Sequence, residues 1–244
     1  MHPFEYARAA DLASALRAVQ DPTARVMAGG TELVNWMRDG IESPARVVDI
    51  SGLPLDAIEA TPRGLRLGAT ATMAEVAAHP AVREGYPVLA QALEAAASPQ
   101  IRNRGTMGGN LMQRTRCPYF RAETPLPCNK RSPGSGCPAR EGENRGHAIF
   151  GWSDGCVATH PGDLAVALAA LDAVIHVAGA GGERLVTAAE FHQLPGDDPR
   201  RDNVLAPGEL ITAVEVPAAP SSRTSHYLKV RERASYEFAM VSAA

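Results

Sequence analysis

The sequence predicts an α+β fold of two subdomains, followed by the start of a third. Short apolar runs typical of strands alternate with helical stretches, and glycine or proline separates most of them. The chain has 244 residues, of which 45% are hydrophobic and 21% are charged, enough to bury a sizeable core. One long stretch, 105–160, lacks helical or strand periodicity, which indicates a functional loop region.

The first subdomain is expected to span residues 1–51 as a compact βαβ-like unit. Asp11 is a predicted N-cap, because its carboxylate can accept hydrogen bonds from the free amides of the first helical turn. The expected elements are a helix at 12–19, a strand at 25–28, a second helix capped by Thr31, and a strand at 45–50.

The second subdomain is expected at 52–222 with an insertion at 111–159, and residues 223–244 would begin a C-terminal domain. Thr72 and Asp163 are predicted N-caps of two of its helices. The expected helices cover 73–78, 87–97 and 164–171, and the expected strands cover 65–69, 173–177, 185–187, 211–216, 227–231 and 238–242.

Charge and hydropathy exclude several classes of function. Lys and Arg total 24 against 27 Asp and Glu, so the chain lacks the basic field of a nucleic-acid-binding protein. Charges interrupt the first 19 residues, where a secretory signal would be apolar, and no run approaches the ~18 apolar residues of a membrane span. We therefore expect no nucleic-acid partner and no membrane span. The protein is expected in the cytoplasm, or in the periplasm if it is exported together with a partner subunit that carries a signal.

Two glycines lie between a predicted strand and a predicted helix. Free amides and the positive end of a helix attract phosphate at such a junction, and glycine lets a ligand approach the backbone closely. A plain strand-to-helix turn explains the same glycines equally well. The candidate anion-binding residues are Met27, Ala28, Gly29, Gly30, Thr31, Glu32 and Leu33.

A second glycine-rich loop repeats the pattern further along the chain. Its threonine and asparagine add hydrogen-bonding side chains that a tight turn does not need. Two such loops suit a dinucleotide, although neither matches G-x-G-x-x-G and no G-x-x-x-x-G-K-[ST] occurs. The candidate residues are Thr106, Gly108, Gly109 and Asn110.

All four cysteines lie within 40 residues, and the other 204 residues contain none. Disulfides would connect distant elements, whereas a metal ion or cluster needs its thiolates at one point. The gaps of ten, eight and eighteen residues differ from the paired C-x₂₋₄-C of structural zinc sites. The spacing favours an iron-sulfur cluster, with zinc and a disulfide pair as open alternatives. The candidate ligands are Cys117, Cys128, Cys137 and Cys156.

Four motifs resemble, in order, those of the flavin-binding medium subunit of molybdenum hydroxylases, the group of xanthine dehydrogenases and carbon monoxide dehydrogenases. They are Ala28-Gly-Gly-Thr-Glu-Leu33, Arg102-Asn-Arg-Gly-Thr-Met-Gly-Gly-Asn110, His160-Pro-Gly-Asp-Leu164 and Tyr227-Leu-Lys-Val-Arg-Glu-Arg-Ala-Ser-Tyr236. The resemblance implies the FAD-binding fold of the vanillyl-alcohol oxidase type, also called the PCMH type. The start of a C-terminal domain of the carbon monoxide dehydrogenase flavoprotein type would follow it.

The resemblance also implies roles for individual residues. Residues 28–33 would hold the pyrophosphate of FAD, and the second glycine loop would lie along the flavin and phosphate. Asp163 would bind the ribose or adenine side, and Lys229 would reach the isoalloxazine edge, where a cation stabilises negative charge. The alternatives are a helix N-cap for Asp163 and a solvated strand lysine for Lys229.

The cysteine insertion resembles a subset of this family more closely. The runs Cys117-Pro-Tyr-Phe-Arg121, Cys128-Asn-Lys-Arg131 and Gly134-Ser-Gly-Cys137 are similar to those of periplasmic aldehyde oxidoreductases. Such an insertion, which 4-hydroxybenzoyl-coenzyme A reductases share and most family members lack, implies a [4Fe-4S] cluster. Nearby basic residues would offset its negative charge, namely Arg114, Arg116, Arg121, Lys130, Arg131 and Arg140.

The expected function is that of an FAD and [4Fe-4S] electron-transfer subunit in a heterotrimeric, molybdenum-dependent aldehyde oxidoreductase. The resemblance implies a molybdopterin-containing large subunit, a [2Fe-2S] small subunit and an external electron acceptor, with substrate chemistry outside this chain. The same subunit in a 4-hydroxybenzoyl-coenzyme A reductase is the first alternative. A zinc-stapled binding module without redox chemistry and a self-contained flavin oxidase are the others.

Overall fold

The computed structural model describes all residues, 1–244, and begins with a three-stranded parallel sheet. The strands are β1 (Glu5–Arg8), β2 (Ala24–Met27) and β3 (Arg46–Asp49), in the order β1-β3-β2, and helices α1 (Leu12–Ala18) and α2 (Leu33–Arg38) connect them. Parallel neighbours need crossover connections, which the two helices supply. The expected βαβ-like unit is therefore confirmed, with β1 as a strand that the sequence pattern did not reveal.

A side-chain cap marks the start of α1 but not the start of α2. The Asp11 carboxylate accepts a hydrogen bond from the Ser14 amide at 2.6 Å, which confirms Asp11 as an N-cap. Thr31 was expected to cap α2, and this prediction is wrong. The cap position is Glu32, which has helical backbone angles and no side-chain bond to the first turn, so its carboxylate is free for other partners.

The second unit is a five-stranded antiparallel sheet in the order β4-β5-β8-β6-β7. Its strands are β4 (Ile58–Thr61), β5 (Gly64–Gly68), β6 (Val174–Gly179), β7 (Gly182–Thr187) and β8 (Leu210–Pro217). The helices are α3 (Met73–Ala78), α4 (Pro80–Gly85), α5 (Pro87–Ala95), α6 (Pro99–Arg102), α7 (Met107–Leu111), α8 (Pro118–Arg121), α9 (Asp163–Ala170) and α10 (Ala188–Phe191). Short 3₁₀ turns lie at Pro138–Arg140 and Pro220–Thr224. A core of 30 buried residues joins the sheet to α3, α5 and α9.

The caps of this unit are only partly as expected. Thr72 caps α3, with its hydroxyl accepting from the Glu75 amide at 3.2 Å. Gly162, not Asp163, is the N-cap of α9, so the carboxylate of Asp163 is available elsewhere. The region 105–160 is not entirely irregular, because it contains α7, α8 and one 3₁₀ turn.

The chain ends in a two-stranded antiparallel hairpin of β9 (Leu228–Val230) and β10 (Val241–Ala243). Both strands are shorter than the expected runs at 227–231 and 238–242. The two sheets and the hairpin fall within the three expected domains, whose boundaries remain predictions. None of the helices is both long enough and apolar enough to cross a membrane.

Candidate functional site

The two glycine loops meet in the fold. A Cβ added to Gly29 would lie 1.8 Å from the carbonyl oxygen of Arg104, so only glycine permits this approach. Gly30 follows with φ at +76°, a left-handed conformation that favours glycine. Contact between backbone segments this far apart in sequence brings both predicted binding loops to one place.

A cavity of about 350 Å³ opens beside the first loop. Five predicted residues line it, together with side chains that the sequence did not single out. The lining residues are Met27, Ala28, Gly29, Gly30, Thr31, Val34, Asn35, Asp49, Ser51 and Arg104. The cavity is therefore lined by glycine-rich backbone and by the basic residue Arg104, a setting suited to an anionic group.

Asp49 lines the cavity because it ends β3 beside Met27, its partner at the end of β2. Tyr6 donates a hydrogen bond to its carboxylate at 2.5 Å, and the Ser51 amide donates another at 2.8 Å. Burial alone would raise the pKa of Asp49, but these hydrogen bonds outweigh burial and lower it. The sequence placed Asp49 near the end of a predicted strand, and ligands bind at the carboxyl ends of neighbouring parallel strands, but only the fold shows which strand is its neighbour.

Glu32 and Leu33 do not line the cavity. The Glu32 carboxylate pairs with Arg116 and accepts from the Arg121 guanidinium at 2.9 Å, both in the cysteine insertion. Leu33 is buried in a small apolar cluster with Met37 and Val47. The first loop is thus divided between a ligand-facing part at 27–31 and a part that contacts the rest of the protein.

Contacts within the second glycine loop and with residues that follow β5 hold this loop in place. Thr106 caps α7 by accepting from the Gly109 amide at 3.2 Å, and the Gly108 amide donates to the Ala69 carbonyl at 2.9 Å. The Asn110 amide group lies 3.4 Å from the sulfur of Met73. These contacts anchor the second loop on the end of β5 and explain its threonine, glycine and asparagine. That these residues also contact the flavin remains a prediction.

Asp163 and Lys229 lie together in the core. The Lys229 ammonium donates to Asp163 at 2.9 Å and to the Ala95 carbonyl at 3.1 Å, and the two side chains are only 4% and 5% exposed. Tyr227 donates to the other carboxylate oxygen at 2.6 Å, and burial followed by this bond raises the tyrosine pKa. Lys229 is therefore not a solvated strand lysine, and both residues are partnered without a ligand.

Lys229→Met is expected to lower the free energy of unfolding by about 3 kcal/mol, because it leaves the buried Asp163 charge uncompensated. Urea unfolding measures the change. Arg38→Met is the matched control, since Arg38 pairs with Asp39 at the surface with its side chain 67% exposed, and its loss should cost less than ~1 kcal/mol. Equal effects of the two substitutions would contradict a buried ion pair.

All four cysteines line a single cavity within the insertion, and none forms a disulfide. The remaining lining comes mainly from apolar and small residues around them. These are Tyr119, Phe120, Pro127, Asn129, Lys130, Pro138, Ala139, His147, Gly155, Val157 and Ala158. The fold thus brings thiols from distant positions of the insertion to the lining of one cavity, as a shared inorganic group requires.

Two of the sulfur atoms make hydrogen-bond contacts with polar groups. The Nε2 atom of His147 lies 3.2 Å from the sulfur of Cys117, and the Ala158 amide donates to Cys156 at 3.4 Å. Burial raises the pKa of both thiols, and neighbouring cysteines raise each further. A cationic metal core would replace the thiol protons and remove this penalty.

The basic residues of the insertion are mostly engaged in ion pairs. Arg114 and Lys130 both pair with Asp202, at 2.7 and 2.6 Å, and Arg114 also pairs with Glu42. Arg131 donates to backbone carbonyls, including that of Gly40 at 3.0 Å. Their expected role as charge compensation is therefore limited, because acidic partners already balance much of their charge.

His160 lies outside the cysteine cavity and packs on His192, with ring centroids 3.8 Å apart and the rings tilted by 40°. The residue keeps an exposed edge. Desolvation of its imidazole by the surrounding residues, followed by repulsion from His192, lowers the pKa of His160 to about 3. Because the folded pKa lies below the ordinary value near 6.5, the unfolded chain binds more protons between about pH 3 and 6.5. The free energy of unfolding should therefore decrease as the pH is lowered from about 6.5 towards 3.

For one histidine, the slope is at most about 1.4 kcal/mol per pH unit, and we expect well under this limit because solvent reaches the exposed edge of His160. His160→Asn should flatten the dependence, since asparagine can still accept the Gly162 amide hydrogen bond that Nδ1 of His160 accepts. Urea unfolding from pH 4 to 7 measures the slope. An unchanged slope in the variant would assign the dependence to other groups.

Sequence comparisons are consistent with this geometry. Residues 2–219 match the family described as FAD binding domain in molybdopterin dehydrogenase. The FAD-binding subunit PaoB of aldehyde oxidoreductase from Escherichia coli is 50% identical over 247 residues, covering 100% of this chain and 77% of the relative. The glyceraldehyde dehydrogenase medium chain of Sulfolobus acidocaldarius is 25% identical, with 100% and 71% covered.

Solved structures share the fold. Quinoline 2-oxidoreductase from Pseudomonas putida 86 superimposes with a TM-score of 0.70 at 23% identity, covering 99% of this chain and 67% of that one. Carbon monoxide dehydrogenase from Oligotropha carboxidovorans gives 0.70 at 22%, covering 98% and 67%. The matched family, the long match to PaoB and the shared fold agree on one assignment. The chain therefore belongs to the FAD-binding domains of the molybdopterin dehydrogenases and is an oxidoreductase subunit.

Proposed function

We propose that this chain is the FAD and [4Fe-4S] electron-transfer subunit of a molybdenum-dependent aldehyde oxidoreductase. A molybdopterin-containing large subunit would act on the aldehyde, and a [2Fe-2S] small subunit would deliver electrons to this chain. The observation that carries the proposal is the single cavity lined by all four cysteines, in an insertion whose Arg116 and Arg121 pair with Glu32 of the FAD loop.

The residues around the cysteines fit an iron-sulfur cluster. The Ala158 amide donates to the sulfur of Cys156 and the imidazole of His147 lies beside the sulfur of Cys117, contacts typical of the shell that stabilises a cluster. The four cysteines line one cavity, yet the gaps between them in sequence are ten, eight and eighteen residues, unlike the paired C-x₂₋₄-C of structural zinc sites, and this spacing favours the cluster.

The cavity beside the first loop fits part of FAD. The amides of Gly29 and Gly30 and the Arg104 guanidinium would hold the pyrophosphate, and the Asp49 carboxylate would accept a hydrogen bond from a hydroxyl of the ligand. Thr106, Gly109 and Asn110 would continue along the flavin, with the Asp163–Lys229 pair behind it. Bound FAD supplies electron acceptance and release, and the protein supplies position and surrounding charge.

The aldehyde assignment is supported by the 50% identity to a subunit named for aldehyde oxidation. This likeness makes the reductase alternative less favoured. A zinc-stapled module is disfavoured by the wide spacing of the cysteines along the chain, and a self-contained flavin oxidase by the family to which the chain belongs.

Anaerobic purification followed by analysis of iron, sulfide, zinc and FAD tests the proposal. We expect about four irons and four sulfides per FAD, together with an EPR signal of the reduced protein at low temperature. Stoichiometric zinc without iron would overturn the cluster. An iron-loaded protein whose FAD is reduced by no aldehyde in the presence of its partner subunits would overturn the aldehyde assignment.

A further inference from the structure

Glu32 lies between the two proposed cofactor sites. It follows Thr31, which lines the FAD cavity, yet its own carboxylate points away and pairs with Arg116 and Arg121. The side chain is 17% exposed, so solvent screens these ion pairs only in part. One carboxylate thus contacts two cations of the cysteine insertion.

Both arginines are tied to the first cysteine. Arg116 immediately precedes Cys117, and Arg121 ends the helix α8 that begins immediately after it. Arg121 also donates to the Thr115 carbonyl at 2.9 Å and to the Arg114 carbonyl at 3.2 Å. The pairs with Glu32 therefore fix the backbone that presents the Cys117 sulfur.

The other end of Glu32 is part of the FAD loop. Its carbonyl accepts from the Trp36 amide at 3.0 Å at the start of α2, and the Arg121 guanidinium lies 5.9 Å from the Trp36 ring centroid. Any displacement of the 114–121 segment is therefore transmitted to the turn that follows Gly30. The side chains of Arg116 and Glu32 are only 28% and 17% exposed, so separating the pair would leave two poorly solvated charges.

We propose that Glu32 is a positioning residue that couples metal occupancy of the cysteine site to FAD affinity. A bound metal group fixes Cys117 and hence the two arginines, and Glu32 passes that order to the FAD loop. The coupling is reciprocal, so bound FAD stabilises the metal site by the same factor. This inference rests on the proposed presence of both cofactors.

The test compares FAD dissociation constants of the full chain, metal-loaded and metal-stripped, after removal of the native FAD. The wild type should bind FAD at least about fivefold more tightly when metal is present, the lower end of typical coupling between sites. In Glu32→Gln the ratio should fall to about one. Glu5→Gln is the control, because it removes the carboxylate of an exposed ion pair between Glu5 on β1 and Arg46 on β3. It should keep the wild-type ratio.

The arginines provide a second arm. Arg116→Gln combined with Arg121→Gln should also bring the ratio to about one, and adding Glu32→Gln should change it no further, because residues in one network are not additive. A wild-type ratio near one, or a ratio that survives in Glu32→Gln, overturns the coupling while leaving the cofactor assignments in place. A wild type that carries no metal overturns the proposed function and the coupling together.

Discussion

Serine at any one of the four cysteine positions is expected to remove most of the iron from the protein. Cys117, Cys128, Cys137 and Cys156 are the only thiols of the chain, so no neighbouring cysteine can replace a missing ligand. Serine is a poorer ligand for iron-sulfur clusters, and the cavity offers no carboxylate in its place. Iron content should fall from about four atoms per chain to near zero, and the EPR signal should vanish.

Asn144→Ser is the control for this prediction, because it introduces serine at an exposed position of the same insertion. It should retain its iron and its EPR signal. FAD should remain bound in the cysteine variants, though more weakly if Glu32 couples the two sites. Cysteine variants that keep a full complement of iron would remove the four thiols from the ligand set.

Gly29→Val should abolish FAD retention. The new Cβ would lie 1.8 Å from the Arg104 carbonyl oxygen and 2.7 Å from its carbon, and both atoms belong to backbone that cannot rotate away. The two glycine loops would have to separate, which would distort the anion-binding side of the cavity. We expect the FAD dissociation constant to rise by about a hundredfold or more, equivalent to about 2.7 kcal/mol.

Gly181→Val is the matched control, because its added Cβ meets nothing within 4 Å and its φ is not in the left-handed region. Fluorescence titration with FAD measures both variants, and circular dichroism checks that they are folded. A Gly29→Val protein that retains FAD at the wild-type level would show that the approach of the loops is not needed for binding.

The other loop glycines should be less sensitive than Gly29. Gly30→Val should suffer mainly from its left-handed backbone, since its nearest neighbours are ends of the Met27 and Val34 side chains at 3.5 Å. A Cβ at Gly109 would meet only the Thr106 hydroxyl, at 2.9 Å. If FAD retention falls most in the Gly29 variant, the contact between the two loops is what binding requires. If all three variants lose FAD equally, the loops simply require glycine.

Local patterns predicted much of the fold correctly, because their cause lies within a few residues. Asp11 and Thr72 accept bonds from amides three positions away, and both caps are as expected. The strand β1 has no comparable local signal. It forms because Glu5–Arg8 pairs in register with β3, some 41 positions later, and only the folded sheet reveals that pairing.

For the candidate site, too, the sequence predicted some residues and missed others. The sequence indicated the first glycine loop and the cysteines, since residue type and clustering carry that information. It missed Arg104 and Asp49 as cavity residues, and it assigned Glu32 to the anion site. Those assignments depend on contacts between distant segments, where a carboxylate next to a glycine loop can face an arginine 84 positions away instead of the cavity.

The entry and exit points of the insertion lie side by side. Helices α7 and α9 contact each other, and a Cβ at Gly162 would lie 2.9 Å from the Gln113 side-chain nitrogen. A short turn could therefore join the two helices without moving any strand, and lengthening a loop at fixed ends costs little entropy. The cysteine segment is thus a module that the scaffold can gain or lose while its architecture stays the same, and with the proposed cluster in place its gain would add one redox centre to the chain.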